Sequence, residues 1–186
     1  MQIGTWNVRT MYEAGKTAQV AAEMRHYNIV VLGLCETRWT LVGQLRLSTG
    51  ELLMYSGHPE DNAPHSKGVG MTLNPASARS LMEWNMVSSR IITARFFAKP
   101  CKIFIMQCYA PTNDADEQEK EEFYQQLQEI VNQKKKKDIL ILMGDLNAKI
   151  GSDNDGREMC MGKEGLGEMM RMKNYSVTFV VLMDWS

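Results

Sequence analysis

Short apolar runs alternate along this chain with longer stretches whose apolar positions recur at helical spacing. Residues 3–8 read as a strand, and residues 17–27 as a short helix with Val20, Ala21 and Met24 on one face. Residues 29–34 are apolar throughout, the mark of a strand covered on both sides. Residues 52–55 and 69–73 read as further strands. Between them, residues 56–68 form a loop rich in Gly, Pro, Asn, Asp and His. Residues 91–97 and 102–109 pair as a hairpin turning at Lys99-Pro100. Residues 116–132 form an amphipathic helix with Phe123, Leu127, Ile130 and Val131 inward. Residues 139–143 are a second strand expected to be fully buried. No repeat or linker interrupts the pattern, so one α/β domain is expected.

Composition narrows the function. At 186 residues the chain can bury a sizeable core, and a net charge of -1 argues against a basic nucleic-acid clamp. Any nucleic-acid contact must then be made by a local site or through a metal ion. No apolar run approaches the roughly 20 residues of a membrane span, and no signal peptide is legible, so no membrane partner is expected. Cys35, Cys101, Cys108 and Cys160 form no C-x-x-C pair, which argues against a disulfide framework or a zinc site. A reducing location, nuclear or cytoplasmic, follows as the expectation. Nothing points to a stable protein partner. Lys134 to Lys137 suit a solvated helix end, with contact to DNA phosphate as the sharper alternative.

The candidate chemistry lies just past the ends of the strands. Asn7 ends the first, Glu36 follows residues 29–34, Tyr109 follows the hairpin, and Gly144-Asp145-Leu146-Asn147 follows residues 139–143. Rigid strands that end in free loops are where sheet-based enzymes gather functional groups. Glu36 and Asp145 are carboxylates, and Asn7 and Asn147 are neutral amides. Hard cations such as Mg²⁺ take oxygen ligands of this kind together with water and phosphate. Tyr109 can donate to charge developing on a phosphate. Such a set suits metal-assisted attack of water on a phosphodiester. Singly, each residue also fits a turn or a cap; their joint occurrence makes the case.

At these positions the chain resembles the endonuclease/exonuclease/phosphatase superfamily. The motifs, in order, are Gly4-Thr5-Trp6-Asn7-Val8-Arg9, Cys35-Glu36-Thr37-Arg38-Trp39, Lys67-Gly68-Val69-Gly70, Ser89-Arg90-Ile91-Ile92, Cys108-Tyr109-Ala110-Pro111-Thr112 and Gly144-Asp145-Leu146-Asn147. The likeness extends over residues 1–168 and is greatest to the apurinic-like endonuclease domains of non-LTR retrotransposons. It implies a four-layer α/β sandwich of two mixed sheets flanked by helices. It implies a Mg²⁺-dependent DNA endonuclease, with Mn²⁺ as the alternative ion. Glu36 would bind the metal, with Asn7 in its shell. Tyr109 would touch the scissile phosphate, Asp145 would orient the water, and Asn147 would hold the phosphate. Ser89 and Arg90 would lie beside substrate. A non-catalytic nucleic-acid-binding module, a functionless pseudogene product and a phosphatase of the same superfamily are the alternatives.

The resemblance implies more than the chain carries. The superfamily closes its site with a late Asp-His pair, whereas His26, His58 and His65 all precede Tyr109, and Asp184 is followed by Trp185. The second half of the fold is therefore expected to be incomplete and this copy inactive. Residues 169–186 depart from the family pattern. Met170-Arg171-Met172-Lys173, read one nucleotide out of frame, would give Asn-Glu-Asn-Glu, which restores the pattern. A frameshifted tail is the expectation.

Overall fold

The computed structural model describes residues 2–63 and 65–147. The elements run β1 (Gln2–Asn7), α1 (Lys16–His26), β2 (Ile29–Cys35), β3 (Val42–Arg46), β4 (Leu52–Ser56), β5 (Val69–Leu73) and α2 (Pro75–Ser80). They continue with β6 (Leu81–Ser88), β7 (Ile91–Phe96), β8 (Ile103–Tyr109), α3 (Glu117–Gln133) and β9 (Ile139–Asp145). One sheet has the order β1-β2-β5-β4-β3 and the other β6-β7-β8-β9. Both are mixed: β1 and β2 run parallel, as do β8 and β9, and the remaining pairs are antiparallel.

Period-2 alternation builds the layers. In β2, Val31 and Cys35 face the second sheet, while Leu32 and Leu34 face α1 with Val20 and Met24. In β8, Ile105 and Tyr109 face the first sheet, while Met106 and Cys108 face α3 with Phe123 and Leu127. The described residues thus form helix, sheet, sheet and helix, the expected four-layer sandwich of mixed sheets. The expected incompleteness of the second half, the 168/169 boundary and the frameshifted tail concern residues outside the described ones.

Several differences from the expected elements have plain causes. Strand β3 (Val42–Arg46) is an edge strand, mostly exposed, and so lacks a buried apolar run. Helix α2 spans 6 residues, too few for periodicity, and is set by the Asn74 cap with Pro75 in its first turn. Strand β6, at the other sheet's edge, is half-buried or exposed at every position and so lacks a buried apolar run. The apolar run of residues 139–143 predicts full burial, yet Ile139 is 52% exposed because β9 has a neighbour on one side only among the described residues. Of the lysine run, Lys134 caps α3 and donates to the Asp138 carbonyl at 3.0 Å, while Lys135, Lys136 and Lys137 are exposed.

One polar side chain crosses the apolar interface. Gln107 is wholly buried, accepts from Thr5 Oγ1 at 3.2 Å and donates to Cys35 Sγ at 2.9 Å. Gly33 makes room for it: a Cβ there would overlap Gln107 Oε1 and lie 2.9 Å from Met143 Cε. Gly33→Ala is therefore expected to cost about 1–3 kcal/mol in urea denaturation, as overpacking of a filled interior does. Gln107→Ala in the same chain should return part of that loss.

A second buried polar contact closes the far end of the second sheet. Arg95 Nε donates to Asp138 Oδ2 at 2.6 Å and Nη2 donates to Oδ1 at 3.2 Å. The hydrogen bonds from Arg95 hold the Asp138 carboxyl below its ordinary 3.8. A carboxyl depressed on folding contributes stability that is present above its unfolded pKa and lost as pH falls through the folded one. Chemical denaturation between pH 5 and the acid limit should thus show a steeper loss for the wild type than for Asp138→Asn.

Candidate functional site

Parallel pairing gathers the site. β1 and β2 end together, with Asn7 opposite Cys35, and β8 and β9 end together, with Tyr109 opposite Asp145. The two pairs are joined across the sheets at Cys35, whose Sγ accepts from the Asp145 N–H at 3.3 Å and donates to the Cys108 carbonyl at 3.2 Å. Burial pushes the Cys35 thiol up to about 12, so it stays an S–H donor. The strand ends that carry Asn7, Glu36, Tyr109 and Asp145 therefore open on one rim.

Their side chains meet there. Asn7 Nδ2 donates to Glu36 Oε1 at 2.8 Å and to Asp145 Oδ2 at 3.1 Å. The Tyr109 hydroxyl donates to the same Glu36 oxygen at 3.2 Å. Arg38 Nη2 lies 3.5 Å from Glu36 Oε2 and is 45% exposed, against 18% for Glu36. Asn7 Oδ1 accepts from the Arg9 N–H at 3.1 Å, so the amide turns its nitrogen to both carboxylates. Asp145 Oδ1 accepts from the Asn147 N–H at 3.0 Å, and Asn147 Nδ2 donates to the Ala110 carbonyl at 2.6 Å.

Backbone geometry holds the cluster in place. Glu36 sits at φ 56 and Asn147 at φ 47, in the left-handed region. For Glu36 that region costs roughly 1–2 kcal/mol, which the surrounding contacts must overcome. Gly144 has φ +138, and a Cβ there would overlap the Cys108 carbonyl, so only glycine lets β9 close on β8 before Asp145.

The electrostatics keep the donors protonated. Burial first, then the Glu36 carboxylate, pushes the Tyr109 phenol up to about 12. Tyr109 is thus a hydrogen-bond donor at any working pH. Among the described residues no group of three or more His, Cys, Asp or Glu converges. The donors are the Glu36–Asp145 pair of carboxylates with neutral amides beside it. Mg²⁺ usually binds through one or two carboxylates and keeps several waters, so this oxygen set fits that ion.

Ser89 and Arg90 lie one step back. The Ser89 carbonyl accepts from the Gly68 N–H at 3.1 Å, and the Arg90 carbonyl accepts from the Tyr109 N–H at 2.9 Å. Arg90 Nη1 donates to the Tyr109 carbonyl at 3.1 Å, and its guanidinium lies 5.2 Å from the centre of the Tyr109 ring. The contributions of Cys35 and Gln107 were not legible, because a buried Cys and Gln within apolar strands give no signal of what they face.

The profile of the Endonuclease/Exonuclease/phosphatase family matches residues 4–157. The chain belongs to that family. It is 38% identical over 150 residues to craniofacial development protein 2 of Bos taurus, covering 81% of this chain and 24% of that protein. The chain thus spans about a quarter of the length of the curated relatives it matches. The fold is shared with the Xenopus laevis APE2 catalytic domain at a TM-score of 0.59 and 15% identity, covering 85% of this chain and 66% of that one. The endonuclease domain of TRAS1, a telomere-specific non-LTR retrotransposon, aligns at a TM-score of 0.50 and 16% identity, covering 78% of this chain and 58% of that one. Among the described residues no helix is long and apolar enough to cross a membrane. Cys35, Cys101 and Cys108 are free thiols, and Cys160 lies outside the described residues.

Asn7→Asp tests the bridge. It replaces the shared donor of Glu36 and Asp145 with a third carboxylate. In metal-free buffer at pH 7 it should cost about 1–3 kcal/mol in urea denaturation, since two part-buried acceptors lose their partner and gain a like charge.

Proposed function

We propose that the rim cluster is the metal-binding and water-orienting part of a phosphodiester hydrolase acting on DNA. Nicking of target DNA for a non-LTR retrotransposon is its context. The observation that carries this reading is the Asn7 bridge, one amide donating to both Glu36 and Asp145 while Tyr109 donates to Glu36. Uncompensated, two carboxylates drawn together repel. Such convergence makes chemical sense where a cation is to be received.

Each side chain has a role in that reading. Glu36 would hold Mg²⁺, or Mn²⁺ in its place, with Asn7 behind it as the orienting partner. A bound ion supplies charge neutralisation at a phosphoryl oxygen. Asp145, fixed by Asn7 and the Asn147 N–H, orients or deprotonates a water. Tyr109 donates to a phosphate oxygen, and Asn147 offers the second N–H of an amide whose first is given to Ala110. Arg90 supports the phosphate side through Tyr109, and Ser89 holds Gly68 beside it. A DNA substrate also places the chain in the nucleus or cytoplasm.

We further propose that these 186 residues do not turn over by themselves. His65 Nδ1 lies 3.1 Å from the Arg38 carbonyl, and its Nε2 lies 3.3 Å from the Tyr12 hydroxyl. His58 Nδ1 accepts from the Glu60 N–H, and His26 packs edge-on to Tyr27. No histidine among the described residues hydrogen-bonds Glu36, Asp145 or Tyr109, and the sequence holds none after His65. A positioned general acid or base contributes typically 10²–10⁴-fold, so turnover without a histidine at the cluster is expected to fall by about that factor, below what plasmid nicking resolves.

Nicking of supercoiled plasmid with Mg²⁺ is the test, alongside Glu36→Ala and Asp145→Ala. The expected result is no more relaxed circle from the wild type than from either variant, together with Mn²⁺ binding that Glu36→Ala abolishes. Nicking abolished by either substitution refutes the inactivity and supports the chemistry. Failure of the wild type to bind Mn²⁺, with DNA binding retained, replaces the reading with that of a nucleic-acid-binding module.

A further inference from the structure

Arg90 sits in the turn between β6 and β7, and each nitrogen of its guanidinium donates a hydrogen bond. Nε and Nη2 donate to Glu119 Oε1 at 3.1 and 2.9 Å, and Nη1 donates to the Tyr109 carbonyl. Lys67, from the loop before β5, donates to the same Glu119 oxygen. Glu119 belongs to the first turn of α3, an element that otherwise stays behind the second sheet. One carboxylate oxygen therefore ties a helix to two loops.

Both loops lead into the site. Lys67 precedes Gly68, whose N–H donates to the Ser89 carbonyl and whose carbonyl accepts from the Thr37 N–H at 3.0 Å. Thr37 directly follows Glu36. On the other side Arg90 carries Tyr109, through its carbonyl, its guanidinium and its face, and Tyr109 donates to Glu36. Glu36 is approached from two directions by groups that Glu119 holds.

Energetics favour a geometric role. Glu119 is 30% exposed and Lys67 33%, and ion pairs so placed contribute little to stability. Arg90 is 12% exposed, so removal of Glu119 leaves a largely buried cation with only the Tyr109 carbonyl and ring as partners, one side chain away from Glu36. That cation would then move toward other anions. The Lys67 ammonium, then the Arg90 guanidinium, holds the Glu119 carboxyl below its ordinary range, so the clamp is charged at neutral pH.

We propose that Glu119 is a positioning residue. It pins Lys67 and Arg90 so that Tyr109 and the Glu36–Thr37 turn keep the arrangement that receives a divalent cation. The proposal rests on the metal-site reading given above.

Mn²⁺ titration of the full 186-residue chain, followed by the electron paramagnetic resonance of free Mn²⁺, tests it with Glu119→Gln, Glu119→Asp, Glu117→Gln and Glu36→Gln. Glu117 lies in the same turn, is 85% exposed and pairs with Lys120, so Glu117→Gln removes the same charge without touching the clamp. Glu119→Gln should weaken Mn²⁺ binding about three- to tenfold, below the roughly 10–100-fold of a direct partner of a ligand because Glu119 acts through Arg90 and Lys67. Glu119→Asp, which keeps the charge but shortens the reach, should weaken it as well. Glu117→Gln should change it less than about twofold. Hydrogen exchange at the Thr37, Gly68 and Tyr109 amides should quicken in Glu119→Gln alone among the charge-neutralising pair. Unchanged affinity in Glu119→Gln, or equal losses in Glu119→Gln and Glu117→Gln, overturns the positioning role. Mn²⁺ uptake that Glu36→Gln leaves intact instead overturns the metal reading, and the proposal with it.

Discussion

Between the two sheets, where nearly every side chain is apolar, Gln107 is wholly buried and must find partners within the protein. It finds Thr5 on β1 and Cys35 on β2, both in the opposite sheet. A buried amide left unpaired costs about 1–3 kcal/mol, so any sliding of one sheet over the other is penalised twice, in polar contacts and in packing. Gly33 is the steric half of the same device, because no other residue leaves room for the amide. The interface is thereby fixed in one register, which apolar packing alone specifies less sharply.

That register matters at the rim. Cys35 takes the Gln107 amide on one side and the Asp145 N–H on another, and it donates to the Cys108 carbonyl. The last residue of β9 is thus located relative to the last residue of β2 by a neutral thiol. Parallel pairing does the rest, since β1 ends beside β2 and β8 beside β9. The Asn7 amide can then span Glu36 and Asp145 at hydrogen-bond distance. A strained Glu36 backbone at φ 56 persists because these contacts over-determine it.

Much of this was legible in the sequence, and the reason is physical. Strands with a helix or sheet on each face, such as β2, must be apolar at both parities, so their ends are easy to mark and the polar residues beyond them stand out. Helix α3 betrays itself through Phe123 and Leu127 at a spacing of one turn, with Asp116 as its cap. What escaped notice obeys weaker local rules. β3 and β6 are edge strands whose exposed positions tolerate any residue, and α2 is set by its Asn74 cap more than by a pattern. Glu119 escaped for another reason: on a helix crowded with acids, only tertiary contact separates it from Glu117, Glu121 and Glu122.

Charge imposes the remaining constraint. A chain of net charge -1 could not rely on its overall field to hold the proposed polyanionic substrate. Local balance must serve instead, and the rim shows how it is struck. Asn7 brings carboxylates together without adding charge, and Arg38 offsets Glu36 from the solvent side. Arg90 would be the natural cation for a phosphate, yet each of its guanidinium nitrogens already donates to Glu119 or Tyr109. Its charge therefore acts through the tyrosine it carries, while the exposed cation nearest the carboxylates is Arg38. On this view positive charge for the proposed phosphate would come chiefly from a metal ion at Glu36. Basic residues do the aligning.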